Sequence, residues 1–400
     1  MWLKLYRHLN FLKDVLILAL TAFGGPNAHI ALMLDFLVGK RNYLSEKELL
    51  ELMALCQMLP GPTSTQTITA IGYKRGGPLL ALVTLLVWAL PAVILMSLLA
   101  ILYQYFIHRG ETVEFFKFIH PVAVGFIVYA AYMISKKVIT NKVTLGILLF
   151  AAAATIILNS PWIFPIVILI GGLVTNFTRQ DKPEIKPTTT KPNWIYLFLY
   201  AGIFVAAGAV SVATNFKPVV LFENFYRFGS LVFGGGQVLI PMMLEQFTEH
   251  KDYLTKDQFL TGYGMVQAVP GPVFSFAAYA GGMAMQDMGK EFSVVGSLIG
   301  ALGIFLPGAL LIFFVYPLWE YLKKFPVVWR SLEGINAAAA GLVVAAAIIL
   351  FFALDINWND MGTIDYLDIL IVLVTPVILI LTRVPTPVLV LVALIAGIIF

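Results

Sequence analysis

Soft ligands and charge are both scarce in this chain. Its 400 residues include a single cysteine, Cys56, and five histidines. One cysteine excludes an intramolecular disulfide and any Cys-rich metal cluster. His8, His29, His108, His120 and His250 fall in no ligand spacing of the H-E-x-x-H kind, and no nucleophile with its base stands out. A membrane-embedded enzyme is therefore disfavoured, and neither a bound metal nor a cofactor is expected. Charged residues make up only 12% of the chain, with 26 Lys and Arg against 22 Asp and Glu. The small excess of +4 lies mostly in short loops between apolar runs, where it acts as a topology signal, so nucleic acid is not implied as a partner. What remains is apolar: 60% of the residues are hydrophobic and the mean hydropathy is +0.89. The chain reads as an all-α polytopic membrane protein whose first partner is the lipid bilayer.

A hydrocarbon core about 30 Å thick needs about 20 apolar residues per crossing helix. Thirteen segments qualify: 11–38, 45–73, 78–107, 112–137, 143–158, 161–178, 194–213, 219–247, 255–283, 292–321, 326–354, 366–382 and 385–400. The basic start and first apolar run lead into "TAFGGPNAHIALM" with no small-residue cleavage site, so this run is read as a retained span. With the N-terminus cytoplasmic and every segment crossing, inside loops hold sixteen Lys and Arg, and outside loops hold five: Lys40, Arg41, Arg109, Lys217 and Lys290. The expected location is the cell inner (plasma) membrane, multi-pass. The Pro-rich, charged stretch "RQDKPEIKPTTTKPN" at 179–193 divides the chain in two.

The two parts are copies. At an offset of 210, residues 21–72 and 231–282 match at Phe23/Phe233, Gly24/Gly234, Gly25/Gly235, Tyr43/Tyr253, Gln57/Gln267, Pro60/Pro270, Gly61/Gly271 and Pro62/Pro272, among others. Beyond a six-residue insertion the offset becomes 216, and Pro91 meets Pro307. The domains read as a first repeat, 1–178, a linker with a connecting span, 179–213, and a second repeat, 214–400. Six candidate spans per copy plus the connecting span make the second copy enter from the opposite face, an inverted repeat. That parity treats 45–73 as a full span; were it alone a re-entrant hairpin, the copies would run parallel.

The repeated Pro-Gly-Pro of "QMLPGPTSTQ" and "QAVPGPVFSF" breaks a helix, because proline lacks an amide hydrogen and clashes with the preceding turn. Such a break in hydrocarbon survives only where protein or a water-filled cavity surrounds it. The amides of Thr63, Ser64 and Thr65, at the positive end of the second half-helix, form a site suited to an anion, and their hydroxyls and the Gln66 amide add neutral donors. "FGGPN" from Phe23 and "FGGGQ" from Phe233 repeat the device with Gly24, Gly25, Pro26 and Asn27, and with Gly234, Gly235, Gly236 and Gln237. Four broken helices about a pseudo-two-fold axis would gather their amide clusters at mid-membrane. Gln57, Gln267 and Ser275 are the other polar residues expected there.

These paired F-G-G-(P/G)-(N/Q) and P-G-P motifs resemble the signature of the chromate ion transporter (CHR) family, and a chain of this length with two homologous halves resembles its long, fused members. The resemblance covers nearly the whole chain outside the linker. It implies export of chromate and chromate resistance, with sulfate transport in some members, and it implies transport determinants at Gly24, Gly25, Pro26, Pro60, Gly61, Pro62, Gly234, Gly235, Pro270, Gly271 and Pro272. The second copy departs from the first where Gly236 replaces Pro26, Val273 replaces Thr63 and Phe274 replaces Ser64. An anion channel built on the same broken helices is the main rival reading. A homodimer is compatible with the sequence.

Isolated ionisable residues are weighed against simpler roles. Asp35 and Glu245 are equivalent and suit proton coupling or gating, but also a solvated interface. His29 suits proton coupling, or a hydrogen-bonded structural role. Arg227 and Glu223, at helical spacing at the start of the eighth segment, read as an interfacial pair rather than a substrate clamp.

Overall fold

The computed structural model describes residues 2–108, 114–158, 160, 163–178, 193–233, 236–319, 325–354, 356–357, 362–382 and 384–399. Among them the chain forms sixteen α-helices. They are α1 Trp2–Thr21, α2 Gly25–Met33, α3 Glu46–Met58, α4 Thr63–His108, α5 Ile119–Val138, α6 Lys142–Leu158, α7 Ile163–Thr178 and α8 Trp194–Thr214. Then come α9 Lys217–Leu231, α10 Gly236–Leu244, α11 Lys256–Val266, α12 Phe276–Ala284, α13 Lys290–Val315, α14 Pro326–Phe352, α15 Thr363–Leu381 and α16 Thr386–Ile399. Among the described residues, six helical stretches are long and apolar enough to cross a membrane: Thr63–Phe106, Ile119–Val138, Trp194–Thr214, Glu291–Leu318, Arg330–Phe352 and Thr363–Leu381. Lys142–Leu158, Ile163–Phe177 and Thr386–Ile399 are shorter apolar helices.

Two compact units result, and they interleave the two halves of the sequence. The first holds 1–98, 181–236 and 270–329, and the second holds 99–180, 237–269 and 330–400.

Within the first unit, α3 and the opening arm of α4 are too short to cross. α3 has 13 residues, about 20 Å at 1.5 Å per residue, and α4 departs from helical geometry at Gly76 and Gly77, closing a 63–75 arm of similar length. The far ends of the two arms meet, since Lys74 Nζ lies 2.5 Å from Glu48 Oε1. Arg75 Cζ stands 4.2 Å over the Tyr43 ring and 5.1 Å over Phe11. The segment 45–73, taken from sequence as a full span, is thus a re-entrant hairpin with Pro60-Gly61-Pro62 at its tip. α1 and α2 do the same around Gly24 and Gly25, because buried Asp14 of α1 accepts from Arg41 Nη2 at 2.8 Å and from the Tyr43 hydroxyl at 2.5 Å. Lys40 and Arg41 therefore share an end with Lys74 and Arg75, not the opposite face that full spans would require.

The copies run in opposite directions along α13, a 26-residue helix about 39 Å long. At its C-terminal end Tyr316 lies 4.9 Å from Tyr73, beside the base of the first-copy hairpins. At its N-terminal end Asp287 pairs with Lys217 at 2.7 Å, where α9 of the second copy begins. Close backbone approach fixes this packing: Gly281 faces the Gly296 carbonyl and Gly300 the Ala277 carbonyl at distances that a Cβ would forbid.

In the second unit α5 packs against α11 and α15. Gly125 admits Thr375, and Gly264 admits Ile119. Thr386 Oγ1 donates to the Gln267 carbonyl at 2.8 Å.

Candidate functional site

The breaks of the two copies bond to each other. Gly61 N–H donates to the Val232 carbonyl at 2.6 Å, and Gly271 N–H donates to the Ala22 carbonyl at 2.8 Å. Val232 and Ala22 are equivalent positions just before each Phe-Gly-Gly, as Gly61 and Gly271 are within each Pro-Gly-Pro. Each Pro-Gly-Pro tip is thus tied to the Phe-Gly-Gly tip of the other copy, which is the pseudo-two-fold relation in hydrogen bonds. The glycines are needed for conformation as well as space: φ is +118° at Gly61 and +113° at Gly271, where L side chains are strained. A Cβ at Gly61 would lie 2.9 Å from Gln66 Nε2 and 3.6 Å from Gly308 Cα, and one at Gly271 would lie 2.9 Å from Ala92 Cβ. Gly308 and Ala92 are again equivalent, each following the proline of a long helix.

Beyond the first tip, the first α-helical bond runs from Gln66 N–H to the Pro62 carbonyl at 2.8 Å, so the amides of Thr63, Ser64 and Thr65 precede the ladder. All four side chains from Thr63 to Gln66 are buried. Ser64 Oγ is 3.1 Å from His29 Nδ1, Thr65 Oγ1 accepts from Trp88 Nε1 at 3.2 Å, and Gln66 Nε2 donates to the Pro60 carbonyl at 2.7 Å. His29 and Trp88 pack edge to face. Among the described residues, buried His29 Nε2 and Gln66 Oε1 have no partner here. The second tip is tighter: Val273–Ser275 forms a 3-10 turn closed by Ser275 N–H to the Pro272 carbonyl at 2.9 Å, and buried Ser275 Oγ has no partner among the described residues.

Other residues expected at the site fare differently. Gly24, in left-handed geometry at φ +90°, precedes α2, and Pro26 falls in its first turn. Gly234 and Gly235 lie outside the described residues, and of Asn27 and Gln237 the backbone alone is described, in the first turns of α2 and α10. Gln57 is half-buried in α3 and Gln267 ends α11. Asp35 and Glu245, at equivalent places, lie second and first in the π-helical segments Leu34–Lys40 and Glu245–His250. Asp35 is exposed and paired with Lys40 at 2.7 Å, whereas Glu245 is 7% exposed and its Oε1 has no partner among the described residues. Trp88 was not expected from sequence; its position three residues before the repeated Pro91 was the available signal.

Nor does the pair Arg227 and Glu223 belong to the helix start. Arg227 lies ten residues into α9, about 15 Å from Lys217 and about 7.5 Å along the axis from Val232 at the tip crossing.

A two-copy bundle of long apolar helices with broken, buried tips is an architecture suited to a membrane transporter. The sequence profile of the chromate transporter family matches residues 9–176 and 219–398, so the chain belongs to that family. It is 27% identical over 381 residues to a probable chromate transport protein of Synechococcus elongatus, covering 94% of this chain and 92% of that one. An uncharacterized transporter of Methanocaldococcus jannaschii is 26% identical over 363 residues, 90% and 88% of the two chains. A chromate transport protein of Cupriavidus metallidurans is 25% identical over 336 residues, 82% and 79%. No solved structure matches. The chain is a multi-pass membrane transporter of the chromate transporter family.

Proposed function

We propose that this transporter exports chromate, binding the dianion at the crossing of the hairpin tips. The observation that carries the reading is the reciprocal pair of bonds from Gly61 to Val232 and from Gly271 to Ala22, which draws the starts of broken helices from both copies together. Half-helix amides at a water-excluded depth attract an anion without a compensating cation. In this reading Gly24, Gly25, Gln57, Pro60, Gly61, Pro62, Thr63, Ser64, Thr65 and Gln66 of the first copy line the path with Pro270, Gly271, Pro272 and Ser275 of the second. The repeats are taken as 1–178 and 214–400, joined by a linker and connecting span at 179–213; the family's match to 9–176 and 219–398 supports two copies.

Outward movement is favoured electrically. A dianion leaving a negative-inside cell gains about 4.6 kcal/mol per 100 mV, twice the value for a single charge. The N-terminus is taken as cytoplasmic in the inner membrane, because the hairpin base of the first copy then puts Lys40, Arg41, Lys74 and Arg75 inside. Sulfate has the same charge and shape as chromate, and neutral donors alone discriminate weakly between them. The test is counterflow of labelled chromate and sulfate in proteoliposomes. Saturable chromate counterflow supports the reading, and chromate flux that neither saturates nor shows counterflow points to a channel.

A further inference from the structure

The second copy carries a cation where the first has none. Arg227, Glu223 and Asn224 of α9 correspond to Ile17, Lys13 and Asp14 of α1. Arg227 Nε donates to Glu223 Oε1 at 2.7 Å and Nη2 donates to Asn224 Oδ1 at 2.6 Å. The pair is mostly buried, with side chains 18% and 19% exposed, and it lies two-thirds of the way from the start of α9 to the tip crossing. The neighbouring faces of α9 are spoken for: Phe222, Phe225 and Gly229 meet α13, and Tyr226 meets Tyr200 of α8. Arg227 projects from neither.

An ion pair at this depth is costly, and burying it gains little stability over apolar packing. Its donors also outnumber its acceptors. A guanidinium carries five N–H groups, and Glu223 and Asn224 take one each. The orientation of the Asn224 amide is fixed by its oxygen accepting from Arg227, and this leaves Nδ2, in a side chain 1% exposed, buried without a partner. Free donors of two residues thus sit beside one another with no acceptor among the described residues. What they lack is an oxygen-rich anion.

We propose that Arg227 and Asn224 form an oxyanion-binding subsite of the second repeat, with Glu223 as the internal counter-ion that the arriving dianion displaces. This rests on the reading of the tips as the transport path and adds the charged contact that the tips lack. Guanidinium suits it because its planar fork meets two oxygens of one tetrahedral anion. It also accounts for the unequal tips: where Val273 and Phe274 remove hydroxyls from the second copy, Arg227 supplies donors about one and a half turns from Val232.

The test is chromate affinity, measured by concentration-dependent counterflow in proteoliposomes of the full chain. Arg227→Gln should weaken apparent affinity about ten- to hundredfold, the loss of charged hydrogen bonds, while Arg227→Lys keeps part of it. Asn224→Leu should weaken it about two- to tenfold. Glu223→Gln should tighten binding a few-fold, because it removes the competitor, and slow turnover. A merely structural pair gives no such split in sign: both Glu223→Gln and Arg227→Gln would lower folded yield and leave affinity unchanged, and that result overturns the proposal. Glu223→Gln/Arg227→Gln, a neutral pair, reports on affinity should either single variant fail to fold. Unchanged affinity in the Arg227 variants while Gly61→Val abolishes transport sinks this subsite and spares the tip reading. Wild-type transport in both sinks the tip reading as well.

Discussion

Gly61→Val tests the tip crossing most directly. Gly61 sits at φ +118°, and a non-glycine residue held there costs about 1–3 kcal/mol. The new Cβ would stand 2.9 Å from Gln66 Nε2 and 3.3 Å from Gln66 Cδ, so the amide must move. Moving it breaks the 2.7 Å bond to the Pro60 carbonyl and leaves a buried acceptor unsatisfied, about 1–3 kcal/mol more. The productive tip conformation is then disfavoured by about 2–6 kcal/mol, which at 1.4 kcal/mol per decade lowers transport about thirtyfold to more than ten-thousandfold. The protein should still reach the membrane, because the perturbation is confined to a tip that the long helices enclose. Gly271→Val meets Ala92 Cβ at 2.9 Å and should give a comparable defect. Gly77→Ala is the control: φ is +74° but nothing lies within 4 Å of the new Cβ, so backbone strain acts without a clash and chromate counterflow should stay close to wild type. The assay is labelled-chromate counterflow normalised to folded protein. Normal expression with wild-type rates in both valine variants would refute the argument and make the breaks packing kinks.

Thr63→Ala, Ser64→Ala and Thr65→Ala each remove one neutral hydroxyl, so apparent chromate affinity should fall only about two- to tenfold; losses matching those of the glycine variants would contradict a backbone-amide site. In a Cys56→Ser background, cysteines at Ser45 and Lys74 should label from one face and a cysteine at Gln286 from the other. Labelling of positions 45 and 74 from opposite faces would rule out the first-copy hairpin. Asp35→Asn should leave the pH profile of transport unchanged, since Asp35 is exposed and paired, whereas Glu245→Gln, at a buried carboxylate with an unpartnered oxygen, should shift it. Burial, with the Asp14 carboxylate beside it, pushes the Tyr43 phenol from 10.0 up to about 12. Above pH 10 the unfolded chain loses this proton while the folded one keeps it, so stability present below pH 10 is lost between 10 and 12. Thermal unfolding of Tyr43→Phe should lack that part of the alkaline decline.

Much of this was legible in the sequence, and the omissions have physical causes. Repeated motifs mark positions, so the equivalence of Gly61 with Gly271 and of Ala22 with Val232 follows from the offset alone. Hydropathy counts apolar residues but carries no direction, so 45–73 looks the same as a span or as a hairpin. What separates the two is the contact of Glu48 with Lys74, 26 positions apart, which no local pattern encodes. Local signals for the arms were nonetheless present: Ser45 with Glu48, and Thr255 with Gln258, form capping boxes at equivalent positions and start helices of 13 and 11 residues, too short to cross. The depth of Arg227 was hidden for the same reason. Once α9 is known to run from Lys217 to a tip at Val232, a residue that looked interfacial lies well inside.

The hairpins also explain why the inverted arrangement survives a change in the span count. Folding back one of the first two segments of a copy would remove a single crossing and leave the copies parallel. Folding back both removes two crossings, and parity is restored, so the opposed directions seen along α13 follow from α1–α2 and from α3 with the 63–75 arm turning back together. The inversion has a chemical consequence. Two tips approaching from opposite ends can trade bonds, Gly61 to Val232 and Gly271 to Ala22, without either copy supplying a complete cavity. Such a crossing is symmetric in backbone yet free to differ in side chains, and it does differ: hydroxyls at Thr63 and Ser64 on one side stand against Val273 and Phe274 on the other, where Arg227 takes the place of Ile17. A dianion moving through it would pass from donors that are all neutral dipoles to donors that include a full charge. In that reading the two sides of the crossing are chemically distinct, while the direction of net flux is set by the electrochemical gradient on the dianion.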